Sequence, residues 1–311
     1  SSLPSISFPN LIETLDLTNF SLDNIESFFT KPGKYRLKEL HLGKNNIQVG
    51  ESSFKNCLEK CPNLELLDLS NNELVELDVF ESIFVKGSFP KMKSLLLTQE
   101  NSVYFSSSIP FQWLYNLKNL KSFHMESRTG TEYLLSIEGF KFEELFLSPD
   151  FTVSSVDFSK MKKLSLSSES FAEIEMNEFL TIQELKIYFY PNELNYKVVF
   201  DYLSKFKNLT SLGFVWMKDC EEELRVRIFD SFHFAIDQMS LLKSLSLKNK
   251  EGIINCFPAM LFANRTQLDS LELEIGSIQN LSEWEFQITK ICNLSSLSLN
   301  MTFLETFDGE Q

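Results

Sequence analysis

NLELLDLSNNEL, Asn63 to Leu74, decides the reading of the fold. Leu64, Leu67 and Leu69 are followed by Asn72 and Leu74, in the order LxxLxLxxNxL. Alternation places Leu67 and Leu69 on one side of an extended chain, as a half-buried strand requires. The same frame returns along the whole sequence. Its central pairs are Leu15/Leu17, Leu40/Leu42, Leu67/Leu69, Leu95/Leu97, Phe123/Met125, Leu145/Leu147, Leu164/Leu166, Leu185/Ile187, Leu212/Phe214, Leu245/Leu247, Leu271/Leu273 and Leu297/Leu299. An apolar residue stands three positions before each pair, from Ile12 and Leu37 to Leu268 and Leu294. Recurrence of this kind predicts stacked units, each burying its apolar side against its neighbours.

The frame resembles that of the leucine-rich repeat family. The resemblance implies an α/β fold: a leucine-rich-repeat solenoid, or horseshoe, with a parallel concave β-sheet and convex helices in the longer repeats. Shorter, non-helical repeats are expected in the centre. A single domain over residues 1–311, of about twelve repeats, is expected, either whole or as a piece of a longer chain. Glu51 to Cys61 supports a convex helix, because Phe54, Leu58 and Cys61 recur at helical spacing and Pro62 stops the run. Asn195 to Phe206, Phe229 to Met239 and Phe257 to Phe262 are further helix candidates. Between Phe123 and Leu185 the intervals shorten, and Phe151 to Phe158 and Phe171 to Met176 read as extended chain. Asparagine at the turn leaving the strand satisfies backbone groups there, and only Asn45 and Asn72 occupy that position. Phe20, Glu100, Arg128 and others replace it elsewhere, which predicts irregular turns. Leu3, Ile6 and Phe8 at one end, and Phe303, Leu304 and Phe307 at the other, are the candidate covers for the terminal units.

Composition narrows the function. With 311 residues, 43% of them apolar, the chain is able to bury a large core. A formal charge of −14 and a pI near 4.8 argue against a basic nucleic-acid face and against docking on an anionic membrane. No apolar run is long enough to insert in a bilayer. Cys57, Cys61, Cys220, Cys256 and Cys292 are too scattered for a disulfide framework and read as buried, reduced thiols. Sequons at Asn19, Asn208, Asn264, Asn280, Asn293 and Asn300 are in keeping with chance in a chain rich in Asn and Ser. The expected location is cytoplasmic or nuclear, the alternative a secreted or cell-surface ectodomain.

No phosphate loop, nucleophile elbow or HExxH helix is present, so no enzyme activity, cofactor or metal is expected. His41 and His124 fall on strands roughly 14 Å apart, without ligands at a recognisable spacing. Residues alternating with the leucines should line the concave face. Asp16, Glu39, His41, Asp68, His124 and Glu126 make its first half polar and acidic. Near the centre Phe146, Lys186, Tyr188, Phe189, Val215 and Trp216 bring aromatic groups onto nearby strands. Pooled aromatics either form a protein or peptide hot spot or fill a tight inner bend. The expected function is a non-enzymatic protein-binding module on that face, an intracellular adaptor or the substrate-recognition subunit of a ubiquitin ligase. The alternative is a receptor or sensor ectodomain for a protein or peptide. Composition and motifs give no oligomeric state.

Overall fold

The computed structural model describes residues 8–50, 52–72, 79–98, 111–125, 133–137, 139–154, 157–173, 181–192, 195–218, 220–249, 267–275, 291 and 293–301. Contacts divide the chain into two compact units, Ser1–Lys160 and Met161–Gln311. The first unit contains β1 (Thr14–Asp16), β2 (Glu39–His41), β3 (Leu66–Asp68), β4 (Ser94–Leu96), β5 (Ser122–Met125), β6 (Tyr133–Ser136), β7 (Glu144–Leu147) and β8 (Phe151–Ser154). Its helices are α1 (Ser52–Glu59) and α2 (Val79–Ile83). The second contains β9 (Lys163–Ser167), α3 (Ser168–Glu173), β10 (Glu184–Phe189), α4 (Asn195–Leu203), β11 (Ser211–Trp216), α5 (Glu222–Asp237), β12 (Ser244–Asn249), β13 (Ser270–Ile275) and β14 (Ser296–Met301). Twelve strands follow one another in a parallel sheet in chain order, while β6 and β8 pair separately.

Each recurring LxL pair lies on one of the twelve strands or runs on from its end. Pairing is in register: Leu15, Leu40, Leu67, Leu95, Phe123 and Leu145 form one row in the first unit. Leu164, Leu185, Leu212, Leu245, Leu271 and Leu297 form the corresponding row in the second. Nearly all of these side chains are buried, and each is worth roughly 1.5–3 kcal/mol of apolar transfer. On the covered side of the sheet aromatic rings take up the space. Trp113 lies 5.2 Å from both Phe80 and Phe84, and Phe111 lies 5.4 Å from Phe151. In the second unit Phe214 packs 4.7 Å from Phe232 and 4.9 Å from Phe189.

Asn45 and Asn72 act as the turn logic requires. The Asn45 amide donates to the Leu17 and Leu42 carbonyls, and its oxygen accepts the Phe20 and Leu22 N–H groups. Asn72 donates to Leu42 and Leu69 and accepts from Ile47. Asn19, Lys44 and Asn71, in the same turns, have positive φ.

The connections depart from expectation. Helices α1 and α4 occupy their predicted stretches, and α5 begins seven residues earlier than the predicted 229–239 run. However, the β1–β2 connection holds a 3-10 turn, Glu26–Phe28, and the described part of the β4–β5 connection holds another, Gln112–Asn116. The centre, expected to lack helices, contains α3, with the Ser167 hydroxyl accepting the Ser170 N–H at its start. There, too, β6 and β8 make a separate two-stranded parallel sheet, which the LxL frame does not foretell. Among the described residues the connections therefore differ from one another, while the strand recurs. The expected leucine-rich-repeat horseshoe is corrected to an α/β architecture: one large parallel sheet with five α-helices among the described residues. Leu74, Glu126, the 257–262 helix candidate, Cys256, Cys292 and the end covers Leu3, Ile6, Phe303, Leu304 and Phe307 lie outside the described residues.

Removing Asn72 strips the Ile47 N–H and the Leu42 and Leu69 carbonyls of one buried partner. Asn72→Ala is expected to lower unfolding stability by at least about 1–3 kcal/mol, the cost of one such orphaned group, as measured by urea denaturation.

Candidate functional site

In-register pairing converts one strand position into a row that crosses the sheet. In the first unit the position between the two core leucines gives Asp16, His41, Asp68, Leu96, His124 and Phe146, each the direct partner of the next. Asp16 is exposed and the other five are half-buried, on the face opposite the leucines. Chemically the row runs from acidic to apolar. The neighbouring row, Thr14, Glu39, Leu66, Ser94, Ser122 and Glu144, repeats that mixture of polar and apolar groups.

The acidic end is fixed by the backbone. Asp16 accepts the Thr18 N–H at 2.9 Å, and Asp68 accepts the Ser70 N–H at 2.9 Å. Those bonds orient the carboxylates at the strand exits. The Thr18 backbone N–H, then its hydroxyl, holds the Asp16 carboxyl below the usual carboxylate range. Gly43 gives Asp68 its place: a Cβ there would stand 3.2 Å from Asp68 Oδ2. Glu39 accepts from the Thr14 hydroxyl at 3.2 Å and lies 3.8 Å from His41 Nε2.

At the other end Phe146 lies against His124, with ring centroids 4.3 Å apart. Ser122 Oγ lies 3.1 Å from His124 Nε2 and donates to Glu144 Oε2 at 3.0 Å. Glu144 is 3.5 Å from that same Nε2. A serine, a histidine and a carboxylate together suggest a nucleophile relay, but the connectivity differs from one. In a relay the carboxylate holds one ring nitrogen and the serine gives its proton to the other. Here the hydroxyl and the carboxylate share one nitrogen, and the serine proton points to the carboxylate.

The second unit carries its own open-face cluster. Lys186 Nζ stands 4.7 Å over the Tyr188 ring. Gly213, beside it in register, makes room for the lysine stem, since a Cβ there would meet Lys186 Cγ at 3.2 Å. Glu272 accepts from Lys248 at 2.8 Å and from Ser246 at 2.7 Å, and these bonds, Lys248 first, lower its carboxyl pKa. Lys163 pairs with Glu184 at 3.5 Å.

The aromatic centre read from the sequence divides. Phe146, Lys186 and Tyr188 are half-buried on open-face positions, and so is His124. Phe189 and Trp216 are core residues instead, with their rings 5.2 Å apart, and Trp216 packs on Phe229. Parity accounts for this: Phe189 follows Leu185 and Ile187 by twos, and Trp216 follows Leu212 and Phe214. Val215 has an open-face register but is buried. Gly43, Gly213 and the acid-to-apolar row were the features that reading along the chain did not bring out.

A surface hollow of about 550 Å³ between the 3-10 turn at Glu26–Phe28 and α1 borders Cys57, Lys60 and Asn56. Lys60 is engaged there by the Phe29 carbonyl at 2.6 Å, and burial pushes the Cys57 thiol up to about 11. Among the described residues no three His, Cys, Asp or Glu side chains are grouped to hold a metal. No described helix is long and apolar enough to cross a membrane.

No protein-family model and no curated protein matches the chain. With one large parallel sheet and differing connections among the described residues as well, the leucine-rich-repeat expectation is overturned. The adaptor, ubiquitin-ligase and receptor-ectodomain readings that depended on it fall too.

Tyr188 and Trp216 separate surface from core by experiment. Trp216→Ala is expected to cost about 3–5 kcal/mol in urea unfolding. Tyr188→Ala, which removes a half-exposed ring beneath a lysine, is expected to cost about 1 kcal/mol or less.

Proposed function

We propose that the first unit docks an extended polypeptide segment on the open face of its sheet, without catalysis. The row from Asp16 to Phe146 carries this reading, because charge at one end and an aromatic group at the other specify a partner in two ways. Six adjacent strands place the ends roughly 24 Å apart, the reach of about seven extended residues. A lysine or arginine of the segment meets Asp16, Glu39 and Asp68. An aliphatic or aromatic side chain meets Leu96, His124 and Phe146. The hydroxyls of Ser94 and Ser122 lie in the adjoining row, where the segment's backbone amides would pass.

Two observations support the remainder of the proposal. The Ser122–His124–Glu144 connectivity suits a fixed polar rim better than a proton relay. Free Cys57 and Cys61, four positions apart with thiols raised by burial to about 11 and about 12, suit a reducing cytoplasmic or nuclear setting.

Selection of a displayed random-peptide library on the whole chain tests the proposal. Enriched peptides are expected to hold a basic residue four to six positions from an aliphatic or aromatic one. Asp68→Asn and Phe146→Ser are each expected to weaken them about tenfold or more. Absence of enrichment, or binders indifferent to both substitutions, would overturn it.

A further inference from the structure

Helix α5 covers the second unit with one face and leaves a patterned face outward. Leu224, Ile228, Phe229, Phe232, Ala235 and Ile236 are buried inward. At 3.6 residues per turn, Glu223, Val226, Asp230, His233, Phe234 and Asp237 fall within an arc of roughly 100° on the other side. Val226 is 51% exposed and Phe234 62%. Most outward positions of a solvated helix hold polar groups, and here Val226 and Phe234 interrupt them.

The charges on this arc are ordered. Glu223, Asp230 and Asp237 recur one heptad apart, with Val226 and the His233–Phe234 pair between them. That is the spacing at which one helix meets another along a seam, apolar groups interlocking and charges at fixed intervals. Arg225 turns toward the covered side and is engaged by Glu222 at 2.6 Å, while Arg227 is exposed at the edge of the arc. His233 lies 3.5 Å from Asp237 and adds positive charge only when protonated. The face therefore presents three acids, one arginine at its edge and two exposed apolar side chains in helical register.

We propose that the outward face of α5 docks an amphipathic helix of a protein partner that carries lysine or arginine at heptad intervals and aliphatic residues between them. Charge complementarity selects a basic partner over an acidic or neutral one. The heptad spacing selects a helix over an extended segment. This surface lies in the second unit and is independent of the sheet face assigned to the first.

The probe is a labelled three-heptad helical peptide with lysine and leucine at the complementary positions, titrated into the whole chain by fluorescence anisotropy. A peptide of the same composition in scrambled order is the reference. Because the chain is acidic throughout, a variant with equal charge change elsewhere, D23K/E26K/E81K, controls for bulk attraction. Ordered peptide is expected to bind about tenfold or more tightly than scrambled peptide. E223K/D230K/D237K and, separately, F234S are each expected to erase that difference, while the control variant retains it. Hydrogen exchange should show peptide-dependent protection in α5. Equal binding of both peptides, loss of the difference in the control variant, or its survival in F234S would each overturn the proposal. Circular dichroism confirms that every variant is folded, and F234S, which removes an exposed ring, keeps the test independent of the triple substitution.

Discussion

Strand parity, locked by in-register parallel pairing, is the constraint on which both the core and the surface depend. Once Leu40 pairs with Leu15 and Leu67, its neighbours His41 and Glu39 are committed to the opposite face. A one-residue slip on any strand would bring polar groups under the sheet and leucines onto the surface. The same lock fixes what lies beside what: His41 sits between Asp16 and Asp68 because Leu40 sits between Leu15 and Leu67. Core packing thus writes the order of side chains on the open face, although it touches none of them.

This division explains what could be read from the chain. Alternation is local, so the LxL pairs identified twelve strands and the buried sides of all but β14, whose Leu297 and Leu299 are exposed. The connections carry such a code only where a helix has periodicity of its own, as in α1 and α4. Between β3 and β4, Phe80 and Phe84 matter because they stack at 5.4 Å and meet Trp113, which lies beyond the next strand. A short helix held by rings from another connection has too little periodicity of its own to announce itself. In α3 the decisive groups are serines: Ser167 caps the helix, while the Ser168 hydroxyl accepts the Tyr190 N–H from the end of β10. Resemblance to a repeat family extended the strand frame into connections that obey different rules, and there the expectation failed.

The site was legible to a similar depth. Acidic residues on the first strands and an aromatic group on β7 were visible in the sequence as types. Their arrangement in one row is not visible along the chain, because its members are separated by whole connections. Trp216 and Phe189 show the opposite error. Closeness in sequence groups them with Tyr188 and Val215, whereas counting by twos from Leu212 and Leu185 places both in the core. Glycines at open-face positions gave a quieter signal. Gly43 and Gly213 carry no chemistry, yet each leaves the space in which a neighbouring strand's charged side chain lies.

Asp16 and Asp68 join the two levels. Each accepts a backbone N–H two residues on, closing the strand exit, and each also points its charge to the open face. For Asp16 the sign of the coupling is defined. Its carboxyl is held below the ordinary range in the folded chain, chiefly by the Thr18 N–H. Its stabilising contribution is therefore complete above the ordinary carboxylate pKa and is lost as pH falls through the depressed value. Folding consequently favours the charged form of Asp16. An amide in place of either carboxyl keeps an oxygen for the turn while removing the charge. Such a change separates the two duties: a loss of stability reports the turn, and a loss of attraction for a basic segment, with stability kept, reports the surface.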